Sequence, residues 1–187
     1  MTLGMRILST LLLAAISFGA ADPLPATIPA AQLTLRQAAG NRPLTQRTFG
    51  PNCAATTSLD ISGLHDGDLA GLGALQKKYG FVAVNREGDS NRIIMVSAES
   101  DKAVELASIP LHQNTLYLKL ACDFRNRADI ARFFYSLDNQ KWSAIGQPLH
   151  MVYTLPHFMG YRFALFHYAT KSSGGTADFD YFRIVPE

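Results

Sequence analysis

Only two cysteines and one tryptophan occur in this chain of 187 residues, and neither charge sign dominates. Two cysteines do not make a metal site, because structural zinc takes four ligands. The five histidines, His65, His112, His150, His157 and His167, show no ligand spacing either. Seventeen Lys and Arg stand against fifteen Asp and Glu, giving a formal net charge of +2. The signs are interspersed, so the basic stripe of a nucleic-acid binder is missing. No serine sits in a nucleophile elbow, and neither HExxH nor a glycine-rich phosphate loop is found. Helical periodicity is scarce: no segment longer than about a dozen residues repeats at i, i+3 and i+4. The segment "DKAVELAS", Asp101 to Ser108, is the one that could form a helical turn or a short helix.

Long apolar runs are confined to the N-terminus. Arg6 precedes "ILSTLLLAAISF", and Gly19 and Ala21 are small residues at the minus-three and minus-one positions before Asp22. That is the pattern of an export signal over residues 1–21. The run is too short to favour a membrane span, and no other stretch would cross a bilayer. Without a cysteine after it, lipid anchoring is not indicated. A secreted or periplasmic protein is expected, with no membrane contact after cleavage and no nucleic-acid partner. Residues 22–32, "DPLPATIPAAQ", hold three prolines and no periodicity, and read as an arm or linker. Residues 33–187 are long enough for one domain, and a hydrophobic content of 48% supports a packed core.

What remains reads as strands. Short alternating runs follow one another, separated by Gly, Asn and Asp turns. In "TLYLKLACDF", Leu116, Leu118, Leu120, Cys122 and Phe124 share one face. In "GYRFALFHYA", Tyr161, Phe163, Leu165 and His167 face one way and Arg162, Ala164, Phe166 and Tyr168 the other. Strict alternation in "DFDYFRI" puts Asp178, Asp180, Phe182 and Ile184 together, opposite Phe179, Tyr181 and Arg183. Whether these two late strands pair as a hairpin is left open by the pattern. The fold class is all-β, an antiparallel sandwich or jelly roll. Cys53 and Cys122 have two readings, a disulfide closing a long loop, worth roughly 4 kcal/mol, or two buried free thiols.

Chemistry is thin. Glu99, Asp101 and Glu105 invite comparison with the paired acids of glycosidases, which stand roughly 5 to 9.5 Å apart on one face. Their spacing of two and then four, in a segment poor in strand formers, reads instead as a charged turn. Trp142 follows the turn "SLDNQK" and is a candidate ring for stacking on a sugar. Tyr153, His157 and Phe158 surround Pro156, where a rigid loop can present rings outward.

Three stretches are more specific. "LTQRTFGPNCAATTSLDISGLHDGDLAGLGALQKKYGFVAV", "YSLDNQKW" and "YTLPHFMGYRFALFHYATKSSGGTADFDYFRI" together resemble the C-terminal domain of glycoside hydrolase family 43, the β-xylosidases and related enzymes. The resemblance covers about Leu44 to Ile184. It implies a concanavalin A-like β-sandwich, with the family's first strands unmatched. Either "AAQLTLRQAA" replaces them, or a partner covers the gap, or the gene is a remnant. It implies no catalytic residue here, because hydrolysis in such enzymes resides in a separate propeller. The loop "SGLHDGDLAG", Ser62 to Gly71, corresponds to one that reaches the substrate rim, so His65, Asp66 and Asp68 become candidates for saccharide or partner contact. Asp178 matches the last-strand ligand of a structural calcium ion, although the opening strands that supply further oxygens are unmatched. The expected function is a secreted non-catalytic accessory module. It would bind xylan- or arabinan-type saccharide, or dock on a separate glycosidase catalytic domain. The alternatives are a stand-alone sandwich hydrolase and a remnant fragment.

Overall fold

The computed structural model describes residues 43–100, 102–152 and 160–187, together with the backbone of residues 35–38. The expected export signal and proline arm, and Asp101, Tyr153, His157 and Phe158, lie outside the described residues.

Thirteen strands occur among the described residues, in two antiparallel sheets. Sheet I contains β1 (Leu35–Ala38), β13 (Thr176–Pro186), β3 (Asn52–Asp60), β8 (Thr115–Asp123), β9 (Ile130–Ser136) and β10 (Ser143–Ala144), neighbours in that order. A two-residue strand, β11 (Leu149–His150), also pairs with β9. Sheet II runs β2 (Leu44–Arg47), β12 (Arg162–Ala169), β4 (Asp68–Leu75), β5 (Tyr79–Glu87), β6 (Ser90–Ala98) and β7 (Val104–Leu111). This is the expected all-β sandwich, consistent with a concanavalin A-like fold.

Period-two patterning builds the core between the sheets. Leu116, Leu118, Leu120 and Cys122 of β8 meet Leu72 of β4, Val82 and Val84 of β5, Ile93 and Met95 of β6, and Phe163 and Leu165 of β12 in one buried cluster. Each such side chain stabilises the fold by about 1.5–3 kcal/mol relative to exposure.

Four local expectations are settled or corrected. Val104–Leu111 is an edge strand of sheet II, not a helix. Its ladder with β6 outweighs a weak helical pattern, and Pro110 is tolerated at a sheet edge. The late strands do not pair with each other, since β12 lies in sheet II and β13 in sheet I. Alternation in β13 is broken by a register shift between Phe179 and Tyr181. Phe179 therefore faces the core together with Phe182, three residues on. Finally, residues of "AAQLTLRQAA" do supply a strand: β1 pairs with β13, setting Arg36 opposite Asp178, and β2 borders β12.

Candidate functional site

Two features stand out on this frame: a polar corner where loops meet, and an aromatic trough on the outer face of sheet II.

The corner is the predicted Ser62 to Gly71 loop, but its side chains divide sharply. Asp68 opens β4 and turns inward, fully buried. Its carboxylate accepts the His65 backbone N–H at 2.8 Å and lies 3.2 Å from Nε2 of His167, also fully buried, on the neighbouring strand β12. Gly175 packs so closely on this carboxylate that no side chain would fit there. Asp68 is thus a structural anchor and not an outward contact, which corrects its expected role. Asp66 is exposed and tied down. Lys171 Nζ donates to both of its oxygens at 2.9 Å, and the Gly88 N–H donates to one at 2.7 Å. Those hydrogen bonds, Gly88 first, hold its pKa below the ordinary carboxylate value, while Asp66 raises that of Lys171. Gly67, at φ +89°, makes the left-handed turn that brings its carbonyl to Thr170. His65 is exposed at the tip.

The trough was not read from the sequence as a site. Small residues form its floor: Ala164, Gly73 and Phe81 stand opposite one another across β12, β4 and β5, as do Phe166, Gly71 and Ala83. Gly71 is needed for close packing on β5, where a side chain would strike the Val82 carbonyl and Ala83. Rings rise on both sides. Tyr79 and Phe81 are parallel, with centroids 6.3 Å apart. Phe81 meets Phe166 edge-on at 5.1 Å, and Phe166 lies 5.9 Å from Tyr168. Behind them, Leu69, Ala83, Ile94 and Val96 form an apolar patch separate from the main core. Pro43, Leu75, Tyr79 and Tyr168 border a depression of about 380 Å³. Among the described residues no Asp, Glu, Lys or Arg lines it. Burial raises the Tyr168 phenol pKa, with Tyr79 adding to the effect. The signal available in the sequence was the i, i+2 aromatic pairing Tyr79/Phe81 and Phe166/Tyr168 flanking "LAGLGAL".

The remaining candidates are scattered. Trp142 is half-buried beyond the Asp138–Asn139 turn, whose Asp138 carboxylate accepts the N–H groups of Gln140 and Lys141 at 2.8 Å each. That turn joins β9 to β10 at the edge of sheet I, away from the trough. Glu99 lies 3.2 Å from His150, and Glu105 3.4 Å from Arg92, so the two acids serve separate surface contacts. Asp178 shares a polar depression on sheet I with Asp60 and Asp180. A calcium ion takes six to eight oxygens. Among the described residues no three acidic, histidine or cysteine side chains assemble that could hold a metal ion. The described set does not by itself form that shell.

The sandwich and its corner have known relatives. The family model described as the beta xylosidase C-terminal concanavalin A-like domain matches residues 27–185. The chain belongs to that family. A bifunctional GH43-CE protein from Bacteroides eggerthii is 48% identical to this β-xylosidase C-terminal-type domain, with a TM-score of 0.79 over 81% of this chain and 21% of that one. A GH43 glycoside hydrolase engineered to display both endo-xylanase and exo-arabinofuranosidase activity is 24% identical, with a TM-score of 0.76 over 81% of this chain and 34% of that one. The GH43 protein BlXynB from Bacillus licheniformis, at 19% identity, reaches 0.70 over 82% and 33%. The last two share the fold alone. No curated protein matches. The domain thus spans about a fifth to a third of the length of these relatives.

Proposed function

We propose that this domain is an exported, non-catalytic accessory module for the breakdown of plant cell-wall polysaccharide, and that the sheet II trough is its saccharide contact. The observation that carries the reading is the trough's composition: four clustered rings, two of them phenols, over a floor of glycine and alanine, with no Asp, Glu, Lys or Arg among the described residues of its lining. A pyranose offers an apolar C–H face to such rings and hydroxyls to the phenols. Such a lining suits a neutral xylose or arabinose polymer better than an anionic one. The volume falls within the range of about 300–1,000 Å³ common to ligand pockets. The GH43 relative engineered for endo-xylanase and exo-arabinofuranosidase activity points to the same saccharides. Among the described residues no acid pair stands in the trough to cleave them.

Titration calorimetry with xylohexaose and an arabino-oligosaccharide tests the proposal, with reducing sugar assayed in the same samples. Binding without hydrolysis is expected, weakened about tenfold in Tyr168→Ala, the loss of one stacking ring. A wild-type domain inert to both saccharides at millimolar concentration would refute the saccharide contact.

A second reading has its own support. Leu75, Val104 and Leu106 are exposed on β4 and on the edge strand β7, and the domain accounts for only 21% of its Bacteroides eggerthii relative. Exposed apolar side chains of this kind suit docking on a glycosidase catalytic domain, with His65 and Asp66 at the corner as further contacts. Co-purification with a separately expressed propeller, lost in Leu106→Asp, would favour it.

A further inference from the structure

Cys53 and Cys122 take no part in either surface, yet their placement is specific. They stand directly opposite each other on β3 and β8, facing the core. Both are free thiols, with exposures of 0% and 1%. The Phe49 N–H donates to the Cys53 sulfur at 3.4 Å. The Cys122 thiol donates to the same sulfur, which lowers the pKa of Cys53 and, with burial, raises that of Cys122. The two side chains therefore project from directly opposed positions of adjacent strands.

Register sharpens the geometry. On the same two strand lines, Phe124 N–H donates to the Pro51 carbonyl at 2.9 Å and Ile61 N–H to the Asn114 carbonyl at 2.8 Å. Counting by two from either bond reaches Cys53 and Cys122, which makes them a hydrogen-bonded pair. The Cα atoms of such pairs lie about 5.5 Å apart, within the usual disulfide range. Their Cβ atoms sit at roughly 5 Å, wider than the mean of about 3.8 Å in disulfides. A bond there forms with some strain, and strained disulfides are the more easily reduced ones.

We propose that Cys53 and Cys122 form a reversible cross-strand disulfide, closed by a small-molecule disulfide oxidant and opened by a dithiol. The Cys53 thiolate attacks one sulfur of the oxidant and expels the other as a thiolate, leaving a mixed disulfide. Cys122 then loses its proton and attacks Cys53, and the second thiol of the oxidant departs. Two electrons and two protons pass from the pair to the oxidant. The pair lies one residue in from the strand ends, since β3 begins at Asn52 and β8 ends at Asp123. The segment between the cysteines carries β4 to β7, four of the six strands of sheet II. One bond in sheet I therefore closes a loop around most of the other sheet.

The full chain, refolded in reduced and oxidised glutathione mixtures, tests this directly. Expected is an intact mass lower by two hydrogens and a Cys53–Cys122 cross-linked peptide. The melting temperature of the oxidised form should be higher by about 5–10 °C, and dithiothreitol should restore the reduced value. Cys122→Ala should abolish the redox response, and the peptide map of the wild-type chain stands even if that variant fails to fold. Two free thiols after oxidative refolding, glutathione adducts alone, or disulfide-linked dimers would each overturn the proposal.

Discussion

The two outer faces of the sandwich flank the same core yet share little chemistry. Sheet I presents Asp60, Tyr117, Asp178, Asp180 and Arg183, interspersed with Ser58 and Thr115. Sheet II presents Phe81, Phe166 and Tyr168 over Gly71 and Gly73, backed by a buried patch of Leu69, Ala83, Ile94 and Val96. Antiparallel sheets ordinarily keep one side wet and polar. Sheet I follows that rule and sheet II departs from it. The departure lies outside the core between the sheets, which is why the proposed contact is placed on sheet II.

The largest change should abolish the comparison. Phe163 is fully buried between the sheets, and Phe163→Ala should cost about 3–5 kcal/mol; chemical denaturation would then show both faces lost in one transition. Asp68→Ala leaves the buried His167 and the His65 N–H without their carboxylate and should cost about 3 kcal/mol, read from the shift in denaturation midpoint. The faces separate in a binding experiment. Tyr79→Phe with Tyr168→Phe keeps the rings and removes both phenols, and should weaken xylohexaose binding roughly tenfold. Tyr117→Phe on sheet I should leave it unchanged, and equal losses would dissolve the distinction.

Two smaller effects probe the polar regions. The folded pKa of Asp66 is depressed from 3.8, so its tether contributes above that value and is lost as pH falls through the folded pKa. That of Lys171 is raised from 10.5, so its contribution is full below that value and lost as pH rises through the folded one. The protection factor of the Gly88 amide, its exchange relative to an unstructured amide at the same pH, should be level between these limits and fall beyond both ends. The smallest effect concerns calcium. Millimolar calcium against EDTA should leave the melting temperature unchanged, because the described residues near Asp178 do not complete a shell. A clear rise would restore the ion and set sheet I apart as a metal-stabilised face.

Legibility tracked locality. Leu116, Leu118 and Leu120 declared an inward face because each obeys period two with its neighbours, and all are fully buried. The turn at Asp138 was legible because its capping bonds stay within the loop. Long-range matters were less so. Phe179 broke the alternation through a bulge that only the partner strand reveals. Asp68 read as a contact for saccharide or partner because its own partner His167 lies far along the chain. The trough escaped notice because its rings come from β5 and β12, which meet only across β4. The corner loop was found through family resemblance, yet which of its acids faces water needed coordinates.

The placement of the two late strands sets the order of assembly. β13 lies between β1 and β3, and β12 between β2 and β4, so each sheet receives its penultimate member from residues beyond 160. The early segments cannot zip to one another in their final order without those late arrivals. The hairpins from β4 to β7 and from β8 to β9 can form locally, but completing both sheets waits on ring closures of about a hundred residues, which makes for slow final assembly.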